Sequence, residues 1–330
     1  MQGGRKQLEG LTLDVGETSF MAPTDKVESA YPSRTITIVV GYPPGGGADS
    51  LARLLAKHLS KQLGNKVIVA NHAGSAGNMG AKAVCRAEAD GYMLFLSARP
   101  NTIHKYIYGN LEFDFCEDLV PIGLIASTPN VIVAGRHSPV RNLGELLEIA
   151  KANPGQLRCA SPGIGSTGYL LLEIFQQETG IRVDHVPYKG GAQAYLDLQD
   201  GKVDVLFSTL SSAIPHIKEG KLQSIALMSE TVDGHLVEIP TMSDHGLPNL
   251  DLDSWAGLMA PSGTPLCAIQ KLSASVNALL CKEEVTVELT QLGYTPAPQP
   301  NPPEALQTLT EQETERWTAI LKIRNIIPFH

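Results

Sequence analysis

Gly45, Gly46 and Gly47 stand between a β-branched run, Thr35-Ile-Thr-Ile-Val-Val40, and the helical spacing of Leu51, Leu54, Leu55, His58 and Leu59. Such a loop lets a ligand approach the backbone, because glycine has no Cβ to hold it off. The helix behind the loop presents unpaired N–H groups and the positive end of its dipole, so the guest that suits it is an anion. No Gly-Lys-Ser/Thr follows the glycines, which argues against a nucleoside triphosphate. A carboxylate fits at least as well as a phosphate. Asp49 takes the N-cap position of the expected helix.

Two further glycine loops carry competing chemistries. One is Asn71-His-Ala-Gly-Ser-Ala-Gly-Asn-Met-Gly80; the other is Pro162-Gly-Ile-Gly-Ser-Thr-Gly168. The stretch Gly163 to Gly168 is formally G-x-G-x-x-G between a strand and a helix, and Asp184 follows, which sketches an NAD-linked oxidoreductase. That fingerprint normally opens its domain, whereas this one sits mid-chain with an equally strong glycine loop far upstream. Neither Ser75 nor Ser166 sits in the G-x-S-x-G elbow of a serine hydrolase. The 9 histidines are scattered without metal-ligand spacing. No catalytic residue, metal or cofactor is expected.

Composition excludes other classes. A chain of 330 residues defaults to two domains. The net charge of −8 argues against nucleic acid, and aromatic content of 5% argues against base or sugar stacking. The 5 cysteines, at irregular spacing without a C-x-x-C pair, read as buried free thiols. No apolar run is long enough to insert in a membrane. Residues 1–30 hold no signal-peptide core and read as a mobile tail or leader.

From Tyr31 onward strands and helices alternate. Strands are expected at 36–40, 66–70, 93–97, 119–126, 130–135, 157–161, 182–187, 203–208, 222–229 and 255–260. Helices are expected at 50–62, 79–88, 143–152, 169–179, 191–199, 265–281, 283–292 and 302–325. Alternation at this spacing implies mostly parallel sheets in an α/β fold.

Nine segments follow one another along residues 31 to 320. The first are Tyr31-Pro-Ser-Arg-Thr-Ile-Thr-Ile-Val-Val, Pro43-Pro-Gly-Gly-Gly-Ala-Asp49, Asn71-His-Ala-Gly-Ser-Ala-Gly-Asn78 and Asp90-Gly91-Tyr92. The rest are Ala152-Asn-Pro-Gly-Gln-Leu, Gly163-Ile-Gly-Ser-Thr, Val186-Pro-Tyr-Lys-Gly-Gly191, Asp197-Leu-Gln-Asp-Gly-Lys-Val-Asp204 and Ala260-Pro-Ser-Gly-Thr-Pro265. In these segments the chain resembles the extracytoplasmic solute receptors of tripartite tricarboxylate transporters, the Bug family. The resemblance implies a type II periplasmic-binding-protein fold: two α/β lobes, residues 31–128 plus 254–330 and residues 129–253, with a ligand cleft between them. Carried over by position, Tyr42, Gly46, Gly47, Asp49 and Ser97 would line the cleft from the first lobe. Gly165, Ser166, Thr167, Tyr188, Lys189 and Gly190 would line it from the second.

The resemblance further implies a periplasmic, monomeric, non-enzymatic binding protein. Its ligand would be a small carboxylate (a di- or tricarboxylate, an amino acid or an aromatic acid), delivered to membrane permease subunits. A signalling subunit touching a sensor kinase would share the same ligand site. The chain departs from the family at Tyr169, where a histidine is usual, and at Cys116-Glu117-Asp118, where a lysine-containing stretch is usual. The family is exported, and this sequence shows no export signal.

Overall fold

Hydrophobic spacing and glycine stops resolve into two β-sheets flanked by helices in the computed structural model, which describes residues 31–109, 111–229, 239–247 and 253–323. The chain opens with β1 (Ile36–Val40), α1 (Gly47–Leu63), β2 (Val67–Asn71), α2 (Asn78–Cys85), β3 (Met93–Ala98), the short α3 (His104–Tyr108) and β4 (Leu119–Thr128). Pro129 alone separates β4 from β5 (Asn130–Gly135). Then follow α4 (Leu143–Ala152), β6 (Arg158–Ser161), α5 (Thr167–Thr179), β7 (Asp184–Pro187), α6 (Gly191–Gln199), β8 (Val205–Thr209), α7 (Leu210–Lys218) and β9 (Leu222–Leu227). The described chain ends with β10 (Ser254–Pro261), α8 (Leu266–Leu280), α9 (Glu283–Gln291), β11 (Thr295–Pro296) and α10 (Pro303–Ile323). The tail expected over 1–30 and the last turn of the helix expected to reach 325 lie outside the described residues.

Local chemistry explains where elements begin and stop. The apolar stripe of α1 is buried, and Gly64 closes the helix in the left-handed region at φ 66°. Asn142 caps α4 by accepting from the Glu145 N–H, and Ser166 caps α5 by accepting from the Tyr169 N–H. α1 begins earlier than the spacing suggests. Gly46 is its N-cap, so Asp49 lies inside the first turn and is not the cap.

One sheet runs β11-β4-β10-β3-β1-β2, the other β7-β6-β8-β5-β9. β1 lies parallel to β2 and β3, and β6 parallel to β7 and β8. β10 runs antiparallel to β3 and β4, β11 to β4, and β5 to β8 and β9. The sheets are therefore mixed, against the expectation of mostly parallel ones. β4 shares its direction with β1, β2 and β3; the strands that run against their sheets are β10 and β11 in the first and β5 in the second. β5 enters straight from β4 across Pro129, with no crossover helix to turn it parallel. β5 and β10 are buried along their whole length, as central strands must be. The thiols also differ from expectation: all are free, but only Cys159 is buried, while Cys116 and Cys281 are exposed.

α10 ties both sheets together. Its 21 residues, about 31 Å at helical rise, place Leu306 in the core with Val39 and Phe95 of the first sheet. Further along, Trp317 and Leu321 join the core of the second, with Leu170, Phe175 and Phe207. Between these anchors Glu313 receives Arg99 Nε at 2.6 Å and Trp317 Nε1 at 3.1 Å, both on Oε2. The Arg99 and Glu313 side chains are only 6% and 7% exposed. Removing one member of such a pair strands the other charge in the interior. Glu313→Ala is expected to cost roughly 3–5 kcal/mol in urea denaturation, and Arg99→Met with Glu313→Leu together to cost less.

α3 bridges the lobes from the other side. Ile103 and Ile107 pack into the core of the second sheet, and Tyr108 Oη donates to the Ile164 carbonyl at 2.8 Å. His104 is buried beside them, 5.5 Å from the Tyr108 ring. Burial pushes its pKa down from 6.5 to about 3, while the nearby Gly165 backbone pulls weakly the other way. Neither ring nitrogen has a partner in full hydrogen-bond geometry, so burial decides. As pH falls through 6.5 towards 3, the unfolded chain binds a proton that the folded chain refuses, and stability is lost across that window. His104→Phe is expected to remove about 2 kcal/mol of the loss between pH 7 and pH 5, read by urea denaturation at the two pH values.

Candidate functional site

Four helix N-termini converge on one cavity between the two sheets. They are the starts of α1 after Gly46, α5 after Ser166, α6 after Gly190 and α7 after Thr209. Residues from each of these starts line a cavity of about 140 Å³ whose floor includes Ser97 and Ala98 at the end of β3. Among the described residues none that lines it is charged. Any positive potential there must come from backbone dipoles and N–H groups, an arrangement that suits a small anion. Tyr42, Pro43 and Pro162 separate this chamber from an outer one of about 690 Å³.

Of the residues expected at the site, Tyr42, Gly46, Gly47, Ser97, Ser166 and Thr167 line the inner chamber. Tyr188, Lys189 and Gly190 line the outer one, with Tyr188 Oη donating to Asp197 at 2.9 Å. Asp49 and Gly165 line neither. Asp49 is buried behind the first loop, where its carboxylate accepts from the Gly45 N–H at 3.0 Å, Arg53 Nε at 2.9 Å and Asn71 Nδ2 at 2.9 Å. Those donors hold its pKa below the usual carboxylate value although burial pushes upward. Its work is to shape the loop. Gly165 makes room for Tyr108, whose hydroxyl would lie 3.0 Å from a Cβ there.

The glycines divide their labour differently from expectation. A Cβ on Gly47 would meet the Ser211 and Ser212 hydroxyls at 2.8 Å, and one on Gly190 would meet Pro43 at 2.8 Å. These positions serve contact between the lobes. Gly46 faces open space, so its lack of a side chain serves whatever enters.

Sequence reasoning passed over the whole of α7 and its approach. Ser208, Thr209 and Ser212 line the cavity, with Thr128 and Tyr195. Ser211 Oγ donates to Thr209 Oγ1 at 3.1 Å, Thr209 donates to Ser212 Oγ at 2.9 Å, and the Gly47 N–H reaches Ser212 Oγ at 3.2 Å across the cleft. Tyr195 and Ser208 share a hydrogen bond at 2.6 Å. The signal available was the hydroxyl run Ser208-Thr-Leu-Ser-Ser212; the helix that follows it was not among those expected, and Pro215 inside it is a residue that helices disfavour.

The competing chemistries fare worse on geometry. Asp184 stands at the amino end of β7, opposite Arg158, while the Gly163–Gly168 loop leaves the carboxyl end of β6. An acid at that end cannot meet a ligand held at the loop. His58, Glu284 and Glu288 bring three possible metal-ligating atoms within 4.8 Å of one another. Glu288, however, is taken by Lys57 at 2.7 and 3.0 Å and by His58 at 3.2 Å, which interlocks α1 with α9. No helix among the described residues is long and apolar enough to cross a membrane.

Comparison with known proteins places this architecture. The chain is 31% identical to the periplasmic binding protein BugD, with a TM-score of 0.86 over 91% of this chain and 100% of that one. Rpa4515 of R. palustris, solved with adipate, is 31% identical with a TM-score of 0.87 over 91% of this chain and 100% of its own. MatC from Rhodopseudomonas palustris, solved with malate, is 28% identical with a TM-score of 0.82 over 88% of this chain and 100% of its own. The fold is thus that of a periplasmic binding protein, two α/β lobes around a cleft. The family model described as tripartite tricarboxylate transporter family receptor matches residues 51–326. This chain belongs to that family of receptors, the solute-binding proteins of the Bug type.

Proposed function

We propose that the protein is a periplasmic receptor that captures a small carboxylate and hands it to the permease subunits of a tripartite tricarboxylate transporter, with no catalytic step of its own. The observation that carries this is the convergence of four helix N-termini on a cavity that no charged side chain among the described residues lines. Backbone N–H groups there recognise a carboxylate without a lysine or arginine. The adipate and malate held by its structural neighbours make dicarboxylates the first class to try. The ligand would be enclosed between a lobe of residues 31–128 plus 254–330 and a lobe of residues 129–253. Contacts such as Gly47 N–H to Ser212 and Tyr108 to Ile164 belong to the closed form. Closure by differential affinity would present the surface that the permease reads.

A thermal-shift panel of mono-, di- and tricarboxylates, amino acids, aromatic acids and NAD(P) tests this. A ligand at 100 times its Kd stabilises the folded state by about 2.7 kcal/mol, a visible shift. A shift with one carboxylate class and none with NAD(P) is expected; a shift with NAD(P) alone would overturn the receptor reading. Gly46 has φ −87° and open space beside it, so valine fits the backbone and projects into the cleft. Gly46→Val should abolish the carboxylate shift while leaving the unliganded midpoint within a few degrees of wild type.

A further inference from the structure

A circuit of side chains runs under the Gly163–Gly168 loop, from β7 to the cavity wall at Ser166. Ser161, the last residue of β6, is fully buried, and its Oγ lies 2.7 Å from His185 Nε2 on β7. The Gly163 N–H donates to the same Oγ at 3.2 Å. The Gly163 carbonyl in turn accepts from Ser166 Oγ at 2.6 Å and from the Ser166 N–H at 3.1 Å. Ser166 Oγ accepts from the Tyr169 N–H at 3.3 Å. The Tyr169 ring lies 5.2 Å from the His185 imidazole, tilted by 35°, which brings the path back to its starting strand. One side chain on β7 thus reaches, through Ser161 and Gly163, the residue that caps α5 at the cavity.

We propose that His185 is a positioning residue for the ligand site, acting as a hydrogen-bond acceptor that holds Ser166 and Thr167 in the arrangement the ligand meets. The role in binding rests on the receptor reading, but the order of the loop does not. Ser161 Oγ accepts the Gly163 N–H, and its own proton is assigned in this proposal to His185 Nε2, the side-chain nitrogen 2.7 Å away. A protonated imidazole would donate there instead, leaving the buried Ser161 proton without an acceptor, a costly loss in the interior. Burial holds the His185 pKa below the usual imidazole value, with Asp184 opposing. The other charged groups around it are Arg158 on β6 opposite Asp184, Asp204 paired to Arg158, and Glu173 near Tyr169 on α5. His104 is near the Gly165 backbone of the same loop, and burial pushes its pKa down to about 3.

Amide hydrogen exchange of residues 162–169 in the full-length protein tests this, comparing wild type with Ser161→Ala, His185→Ala and His185→Gln. Glutamine keeps a side-chain acceptor and should restore protection to within about twofold of wild type. Both alanine variants should exchange about tenfold faster in this segment, the factor one hydrogen bond of ordinary strength supplies. Segments in β1 and β3 should not change. Corrected for intrinsic chemistry, the wild-type segment should also lose protection as pH falls below the imidazole range, and His185→Gln should not. Unchanged protection in both alanine variants, or glutamine behaving like alanine, would overturn the proposal. If an alanine variant fails to fold, a flat wild-type pH profile would overturn it alone. Failure of the receptor reading would look different: no carboxylate would shift the midpoint while loop protection behaved as described.

Discussion

A cavity with no charged side chain among its described lining residues has to draw any potential it offers an anion from the backbone, and a backbone dipole is useful only if its helix points correctly. That requirement governs much of the fold. Each of α1, α5 and α6 follows a strand through a glycine-bearing turn, and α7 follows β8 directly, so that every one starts at the same cleft. Asp49 locks the first turn from behind, and Ser161 with Ser166 locks the third. The polar side chains around these turns therefore either lie outside the cavity, as Asp49 does, or line it while spending their polar atoms on the backbone, as Ser166 does. Ser97 shows the same economy, since its hydroxyl donates to the Gly257 carbonyl on β10.

The glycine loops were legible because turns and close approaches leave a local mark: no other residue type tolerates φ of 88° at Gly45 or the close approach of the Pro43 ring at Gly190 as easily. Strands and helices were legible for the same local reason, from period and stop signals. Strand direction was not, since the antiparallel entry of β5 and β10 depends on which sheet each strand joins. The α7 residues were missed, and their helix contains a proline, a residue that in isolation argues against a helix. Asp49 was misplaced because a sequence shows an acid near a helix start but not whether its oxygens turn inward to Arg53 and Asn71 or outward to solvent. Departure at Tyr169 was visible; its packing against His185 from a neighbouring strand was not.

Both lobes share a single helix. Because α10 contributes Leu306 to one core and Trp317 and Leu321 to the other, and is pinned midway by Arg99, neither core is complete without it. The Arg99 pair is better understood as fixing where that helix lies than as adding net stability, since buried ion pairs often contribute little of the latter.

Pro129, the only residue between β4 and β5, carries a further consequence. Its ring freezes one of the two soft torsions in that link, and its carbonyl accepts from the Leu210 N–H at 2.8 Å, the first residue of α7. The crossing acts mechanically as a stiff door-hinge bolted to one jamb of the binding site. A swing of the lobes must then drag the start of α7 along a narrow arc, so that opening the door and loosening the grip on the guest are a single motion.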